Sequence, residues 1–363
     1  MDRIESYSIG AAVPVRARRL VAVVVTHNRL DDLRITVQRL LSASAKALSA
    51  VVVVDNASTD GSAAWLATVG NARLDIVTLP ANTGGAGGFA AGIARALQAH
   101  RPDWLVVMDD DGRPDVGALE TFHSLRPEAQ GWDAVAAAVY TPEGEICEMN
   151  RPSRNPFWHW RVFVRCVWQL GRRSGFHLTA ADYSSAAAQP VDIASFVGLF
   201  VSQQAARAVG GPDPRLFLYG DDGLFTLRLA QAGRRLMFHP QVRFEHACTT
   251  FVGAQFRQLW KAYYYHRNLM LLYRAAAGWM FWPLLAIVLP RWLLKGHAHP
   301  GKRRAFLRVL RHAIWDGLRA DITRPHAQAV ALSAVEDRQV VPPKQKQTQR
   351  HGHQRAQQNI DLA

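Results

Sequence analysis

Three consecutive carboxylates, Asp109, Asp110 and Asp111, follow directly on the apolar run Trp104 to Met108. Acids side by side at the end of an apolar strand repel one another unless a cation neutralises them, and hard oxygen ligands suit Mg²⁺ or Mn²⁺. Metal binding is the economical reading, set against a solvated acidic turn. A second pair, Asp221-Asp222, lies between LFLYG and a helical pattern starting at Leu224. Read locally, Asp222 could serve as a helix N-cap and nothing more. The stretch NTGGAGGFAAG, Asn82 to Gly92, formally contains a dinucleotide fingerprint as Gly85-x-Gly87-x-x-Ala90. In a dinucleotide domain such glycines follow the first strand, whereas here they come after the second or third apolar run, which disfavours a nicotinamide enzyme. Glycines in that place still let backbone N–H groups approach a phosphate or sugar at a helix N-terminus, which makes Asn82, Gly84 and Gly85 candidate contacts to a nucleotide-linked ligand.

The elements that must position these residues are legible as apolar runs. Leu20 to Val25 (LVAVVV), Val51 to Val54 (VVVV) and Trp104 to Met108 (WLVVM) are continuous and largely β-branched, with helix-like stretches between them. Runs of this kind, buried on both faces and alternating with helices, predict an α/β fold with a parallel sheet of βαβ units. Ligands of such sheets bind beyond the carboxyl ends of the strands. All three runs end in polar residues there: Thr26-His27-Asn28-Arg29, Asp55 to Asp60, and the acidic triplet.

The chain of 363 residues carries 43 Lys+Arg against 29 Asp+Glu, a formal charge of +14, and is 49% hydrophobic. That composition supports a sizeable core and excludes wholesale disorder. Three cysteines without a CxxC pair support neither a disulfide framework nor a cysteine zinc site. The first residues, MDRIES, carry an acid in each of the first two turns and do not read as a secretory signal with its apolar h-region, so a cytoplasmic protein is expected. The positive charge concentrates late: Phe256 to Val335 holds thirteen Lys/Arg and only two acids. Within it Ala275 to Pro290 is uncharged and Trp-rich, shorter than the ~20 residues of a spanning helix and interrupted by Pro283, which suggests an interfacial helix beside an anionic membrane surface. A buried helix hairpin with a solvated basic face is the alternative. Nucleic acid is not expected as a partner, because no helix-turn-helix, zinc-finger or RNP pattern accompanies the basic residues. The expected organisation is an N-terminal extension (1–18), a catalytic domain (19–255), a basic helical region (256–334) and a disordered polar tail (335–363).

Seven motifs stand in order along the chain: VTHNR (25–29), VVDNASTDG (53–61), NTGGAGGFAAG (82–92), MDDDGRP (108–114), SFVGLFVS (195–202), LYGDDGLFTLRLAQAG (218–233) and FEH (244–246). On these the chain resembles the inverting family-2 glycosyltransferases of the GT-A fold over roughly Arg19 to Arg274, and within them the rhamnosyl- and galactofuranosyltransferase branch. The resemblance implies a GT-A (Rossmann-like) nucleotide-diphospho-sugar transferase fold with a C-terminal helical, membrane-associated segment. It implies that Thr26, Asp55 and Arg29 contact the nucleotide, that Asp109 and Asp111 hold a Mg²⁺ or Mn²⁺ ion against the donor pyrophosphate, and that Asp110 faces the nucleotide-sugar. His246 matches the position that completes the metal site in galactofuranosyltransferases, and Asp222 matches the catalytic base. The family's commoner acidic pair is Glu-Asp, so this chain's Asp221-Asp222 leaves open which carboxylate is the base. Donors linked to UDP or dTDP both fit, and the acceptor would be a glycan or a polyprenyl-diphosphate-linked sugar. The Trp-rich stretch 150–175 matches no motif and stands where an acceptor-binding insertion would be expected; packing is the ordinary fate of its tryptophans. A nucleotide-sugar or polyanion binding protein without catalysis is the competing class.

Overall fold

Alternation along the valine runs explains the centre of the sheet. In the computed structural model, which describes residues 18–247, 251–252, 255–256 and 258–334, the strands are β1 (Leu20–Thr26), β2 (Ala50–Asp55), β3 (Leu74–Thr78), β4 (Trp104–Asp109), β5 (Gly112–Pro114), β6 (Ala134–Tyr140), β7 (Gln189–Pro190), β8 (Leu199–Ser202) and β9 (Leu236–His246). The extension before residue 18, the tail from 335 and Cys248 lie outside the described residues. Val24, Val53 and Val106 point into one core layer with Leu33, Val37 and Leu40 of helix α1 (Leu30–Ser42). Val23, Val52 and Val107 point into the other, with Phe89 and Ile93. Side chains of period two feeding two layers are what a sheet covered on both faces requires.

The helices α2 (Ser62–Thr68), α3 (Gly84–Arg95), α4 (Ala118–Ser124), α5 (Trp160–Trp168), α6 (Ala180–Ser184), α7 (Gln203–Val209) and α8 (Asp221–Gln231) come between the strands or follow them. The strand order is β3-β2-β1-β4-β8-β6-β9-β5, with β7 also on β9. The half formed by β3, β2, β1 and β4 is parallel, as expected. The other half departs from the expected parallel sheet, because β8 runs antiparallel to both β4 and β6, and β5 antiparallel to β9.

The basic region forms α9 (Lys261–Ala277), α10 (Phe281–Leu294), α11 (Arg303–Arg319) and α12 (His326–Ala331) around a third core of aromatic and aliphatic residues. The break expected at Pro283 lies instead at Gly278, whose φ of +54° suits glycine, since Pro283 sits in the first turn of α10, where the missing N–H has no intrahelical partner to lose. The helical stretch Lys261–Ala298 is long and apolar enough to cross a membrane by length and composition alone. Its first half, however, buries Tyr263, Tyr264, His266, Arg267 and Asn268 inside the protein. Asp316 of α11 accepts from the Tyr263 hydroxyl at 2.6 Å and from Arg324 Nε at 2.7 Å, which ties α9 to α11 and to the segment before α12.

Candidate active site

Parallel pairing sets the carboxyl ends of the first strands in a row, with Thr26 opposite Asp55 and Val25 opposite Asp109. Of the acidic triplet, Asp110 turns inward: its Oδ2 accepts from the Thr26 hydroxyl at 2.7 Å and its carbonyl accepts from the Thr36 hydroxyl at 2.6 Å. Burial pushes the Asp110 carboxyl up to about 8, against the opposing charge of Arg29 and the Thr26 hydrogen bond. Two residues expected at the nucleotide, Thr26 and Asp110, are thus joined to each other beneath the site. Asp55 is buried as well and accepts from the Ser58 N–H at 2.9 Å.

Asp109 and Asp111 face a third group that the sheet brings from the far end of the chain. Antiparallel pairing of β5 with β9 places His246 opposite Gly112, so its Nε2 lies 3.1 Å from Asp111 Oδ1. One ligand atom from each of Asp109, Asp111 and His246 falls within 4.8 Å of the others. The ring is oriented from behind by Asn150, whose Oδ1 is 2.6 Å from His246 Nδ1 and whose Nδ2 donates to Ser195 Oγ at 3.0 Å. With the amide nitrogen committed to Ser195, Oδ1 accepts from Nδ1–H, and Nε2 is turned toward Asp111.

Burial and then the charge of Asp111 raise the Asp109 carboxyl to about 6, with His246 and Arg29 opposing. In Asp111, burial is outweighed by the hydrogen bond and charge of His246 and by Arg29, which hold its carboxyl below the usual range. The Arg29 guanidinium pairs with Asp111 and lies 3.5 Å from Asp110 Oδ1. Two carboxylates and one imidazole are a donor set that suits Mn²⁺ or Mg²⁺, and the Arg29 pairing shows how strongly this corner attracts positive charge.

The second acidic pair opens α8, yet the N-cap is Gly220 and not Asp222; both aspartates stand in the first turn. Burial lifts the Asp222 carboxyl to about 6, against the Gly223 N–H that donates to its Oδ1 at 2.6 Å. Burial and then the neighbouring Asp222 raise Asp221 well above the ordinary range. Both charges reach Asp109, so the end of β4 and the start of α8 form one acidic site.

The loop before α8 is held in an unusual backbone: Phe217, Tyr219 and Gly220 have φ of +65°, +66° and +75°. Positive φ costs about 1–3 kcal/mol at each non-glycine position, and the surroundings must supply it. Helix α9 does so. Asn268 Nδ2 reaches the carbonyls of Leu216, Leu218 and Tyr219 at 3.0, 2.9 and 2.8 Å, and Arg267 Nη2 donates to the Leu216 carbonyl at 2.9 Å. Arg267 Nε in turn donates to Asn268 Oδ1 at 2.8 Å.

The same loop meets the glycine-rich segment. A Cβ on Gly84 (φ +71°) would lie 2.0 Å from the Phe217 carbonyl oxygen, and one on Gly88 2.4 Å from Val25 Cγ1. These glycines let α3 lie down on β1 and on the loop of the second acidic pair; Gly85 alone, of the expected ligand-contacting glycines, faces open space. Asn82 Oδ1 accepts from the Gly84 N–H at 2.8 Å. The segment is pinned to the end of β2 by Asn56, whose Nδ2 donates to the Gly84 carbonyl at 2.9 Å and whose Oδ1 accepts from the Thr83 N–H at 2.9 Å.

With this geometry in view, the comparisons with known proteins decide the family. The glycosyl transferase family 2 model matches residues 21–178. Galactofuranosyltransferase GlfT1 of Mycolicibacterium smegmatis is 32% identical over 231 residues, which are 63% of this chain and 71% of that protein. The chain belongs to glycosyltransferase family 2. GlfT1 of Mycobacterium tuberculosis H37Rv is 30% identical over 217 residues, 58% of this chain and 64% of the relative. Among solved structures, GalNAc-T7 with UDP, GalNAc and Mn²⁺ superposes with a TM-score of 0.51 at 12% identity, over 71% of this chain and 48% of that one. S. aureus TarS 1–349 superposes with a TM-score of 0.50 at 15% identity, over 87% and 88%. These likenesses show the GT-A fold. In this family 2 glycosyltransferase the acidic triplet and the Asp221-Asp222 pair are near enough for their charges to act on one another.

Three residues of this glycosyltransferase's site were not singled out from the sequence. Asn56 follows directly on Asp55 in VVDNASTDG, so its place after β2 was a usable signal. Asn150 and Asn268 lie in stretches read only by composition, and nothing in their local sequence marks them.

Proposed function

We propose that this glycosyltransferase transfers galactofuranose from a UDP-linked donor, with inversion, to a hydroxyl of a cell-envelope glycan or polyprenyl-diphosphate-linked acceptor at the inner face of the cytoplasmic membrane. The observation that carries the proposal is the convergence of Asp109, Asp111 and His246, with ligand atoms within 4.8 Å, beside an Asp222 whose charge reaches Asp109. The names of the GlfT1 relatives favour galactofuranose over rhamnose from a dTDP donor.

In this reading Asp109, Asp111 and His246 hold Mg²⁺ or Mn²⁺. When bound, the cation would supply charge neutralisation for the departing diphosphate. Arg29, already paired with Asp111, is placed to exchange that carboxylate for a donor phosphate. Asn82, Gly84 and Gly85 line the start of α3, where Gly85 leaves room for a ligand to approach the backbone. Thr26 and Asp110 form the floor of the nucleotide site, and Asp55 closes its side at the end of β2. Asp222 accepts the proton of the attacking acceptor hydroxyl, and Asp221 stands behind it, buried and with its carboxyl raised. Residues 19–255 supply the transferase unit and 256–334 the membrane-facing helices, with α9 belonging to both through its hold on the loop at 216–220.

The test is transfer by the purified chain with Mn²⁺, comparing UDP-galactofuranose with dTDP-rhamnose on a galactan or prenyl-linked acceptor. Turnover with UDP-galactofuranose and an inverted anomeric product is expected. Turnover with dTDP-rhamnose alone would overturn the sugar assignment, and a retained anomeric configuration would overturn the single displacement.

A further inference from the structure

Two segments far apart in sequence expose apolar side chains on the same part of the molecule. Among the described residues sixteen large hydrophobic side chains are exposed, and eleven of them fall in Trp158 to Leu170 or Trp279 to Leu294. In α5 the exposed Trp160, Val164, Val167 and Trp168 follow the i, i+4, i+7, i+8 spacing of a single helical stripe, at 72%, 42%, 58% and 83% exposure. Only Val162 of this helix is buried. Arg165 instead points back, its Nε donating to the Gly175 carbonyl at 2.7 Å. The helix turns its apolar stripe outward, the reverse of a helix packed for water.

Helix α10 is apolar on both faces. Phe281, Leu285, Val288 and Trp292 are buried in the third core, while Trp282, Ile287, Leu293 and Leu294 are exposed on the other side. A helix that is apolar all round needs an apolar medium beyond the protein's own core. The two segments are fastened to each other at both ends. Asn155 Nδ2 donates at 2.9 Å to the carbonyl of Ala276 in the last turn of α9, and Arg291 Nη2 of α10 donates to the Leu170 carbonyl at 2.9 Å, just after α5.

Charge identifies the occupant. No acid occurs from Arg151 to Ala181 or from Ala247 to Trp315. Arg161, Arg172, Arg173, Arg291 and Lys295 are exposed within or next to these segments in the chain, and the Lys302-Arg303-Arg304 cluster is exposed at the start of α11. Among the described residues the one acid paired with these segments, Asp192 at 2.9 Å from His159 Nε2, has a side chain only 14% exposed, so a Trp-rich face with exposed cations and no acid of its own complements an anionic lipid surface.

We infer that α5 and α10 together form one membrane-docking face, which lies in the plane of the interface with its tryptophans at headgroup level and its cations on acidic phospholipids. The inference rests on the membrane reading proposed above and deepens it, because α5 belongs to the transferase unit and was assigned to acceptor binding or packing. The inner face of α10 and the buried half of α9 stay with the protein, so docking needs no spanning helix. Asn150, which orients His246, lies ten residues before the start of α5, so the lipid-facing helix and the candidate metal site share one segment of chain.

The test is flotation of the purified chain with vesicles of phosphatidylcholine containing phosphatidylglycerol, and with phosphatidylcholine alone. Wild type is compared with W160S/W168S on α5 and W279S/W282S on α10, all four side chains being exposed. The account expects wild type to float with the anionic vesicles, and each double variant to bind on the order of tenfold less while melting at the wild-type temperature. If W160S/W168S binds as wild type does and only W279S/W282S is lost, the composite face is overturned and the membrane reading stands. Failure of wild type to float overturns both. In that case a dimer in light scattering that the tryptophan variants dissociate would identify a second copy of the chain as the occupant.

Discussion

His246 Nε2 lies 3.1 Å from Asp111 Oδ1 across a sequence separation of 135 residues, and it is there because β9 runs antiparallel along the short strand that follows the acidic triplet. The imidazole is oriented by Asn150, 2.6 Å from Nδ1. Loss of an outer partner of this kind ordinarily lowers metal affinity about 10–100-fold. Asn150→Ala is therefore expected to weaken Mn²⁺ binding in that range in a calorimetric titration, with His246→Ala at least as severe. Unchanged Mn²⁺ affinity in both variants would separate His246 from the metal site.

The loop carrying Asp221-Asp222 depends on a residue of the C-terminal region. Asn268→Ala removes the side-chain donor of the Leu218 and Tyr219 carbonyls and leaves the Leu216 carbonyl to Arg267, at a cost of roughly 1–3 kcal/mol of stability. Turnover should fall while Mn²⁺-dependent UDP binding, measured by thermal shift, persists. If turnover stayed at the wild-type level in a folded Asn268→Ala protein, α9 would have no part in positioning the base.

Burial raises the Asp222 carboxyl to about 6. A general base must be ionised, so the rate at saturating Mn²⁺ should climb as pH rises through about 6, level off above it, and fall about tenfold per unit below it. Asp222→Asn should lose about 10²–10⁴-fold in rate, and its residual activity should lack that limb. An identical acid limb in the Asn variant would assign the titration to another carboxylate.

The glycines of the 82–92 segment should not respond alike. Gly84 combines a φ of +71° with a Cβ position 2.0 Å from the Phe217 carbonyl oxygen, whereas a Cβ on Gly85 meets nothing within 4 Å. Gly84→Ala should lose about 2 kcal/mol or more in chemical denaturation, while Gly85→Ala melts normally and weakens UDP binding. Equal stability of the two variants would contradict the packing described for the start of α3.

The parallel half of the sheet was legible because Leu20 to Val25, Val51 to Val54 and Trp104 to Met108 are buried on both faces and read as continuous apolar runs. The antiparallel half was not. β8 contributes only LFVS, and the register of β9 against β6 shifts at Ala137/Ala138, so neither has a clean local period. Strand-end carboxylates were visible from residue type alone, but the pairing that delivers His246 is a long-range event. The amides of Asn150 and Asn268 act on partners 96 and about 50 residues away and leave no local trace. Trp160 and Trp168 reversed the ordinary expectation for tryptophan, because the described residues leave them 72% and 83% exposed.

Calorimetric titration of UDP into the purified chain, with and without Mn²⁺, in wild type and in Asp111→Ala, tests most directly whether the acidic triplet and His246 hold a cation for a nucleotide-diphosphate donor. The account predicts UDP binding that depends on Mn²⁺ in wild type and loses that dependence in Asp111→Ala. Equal UDP affinity with and without Mn²⁺ in wild type would contradict it.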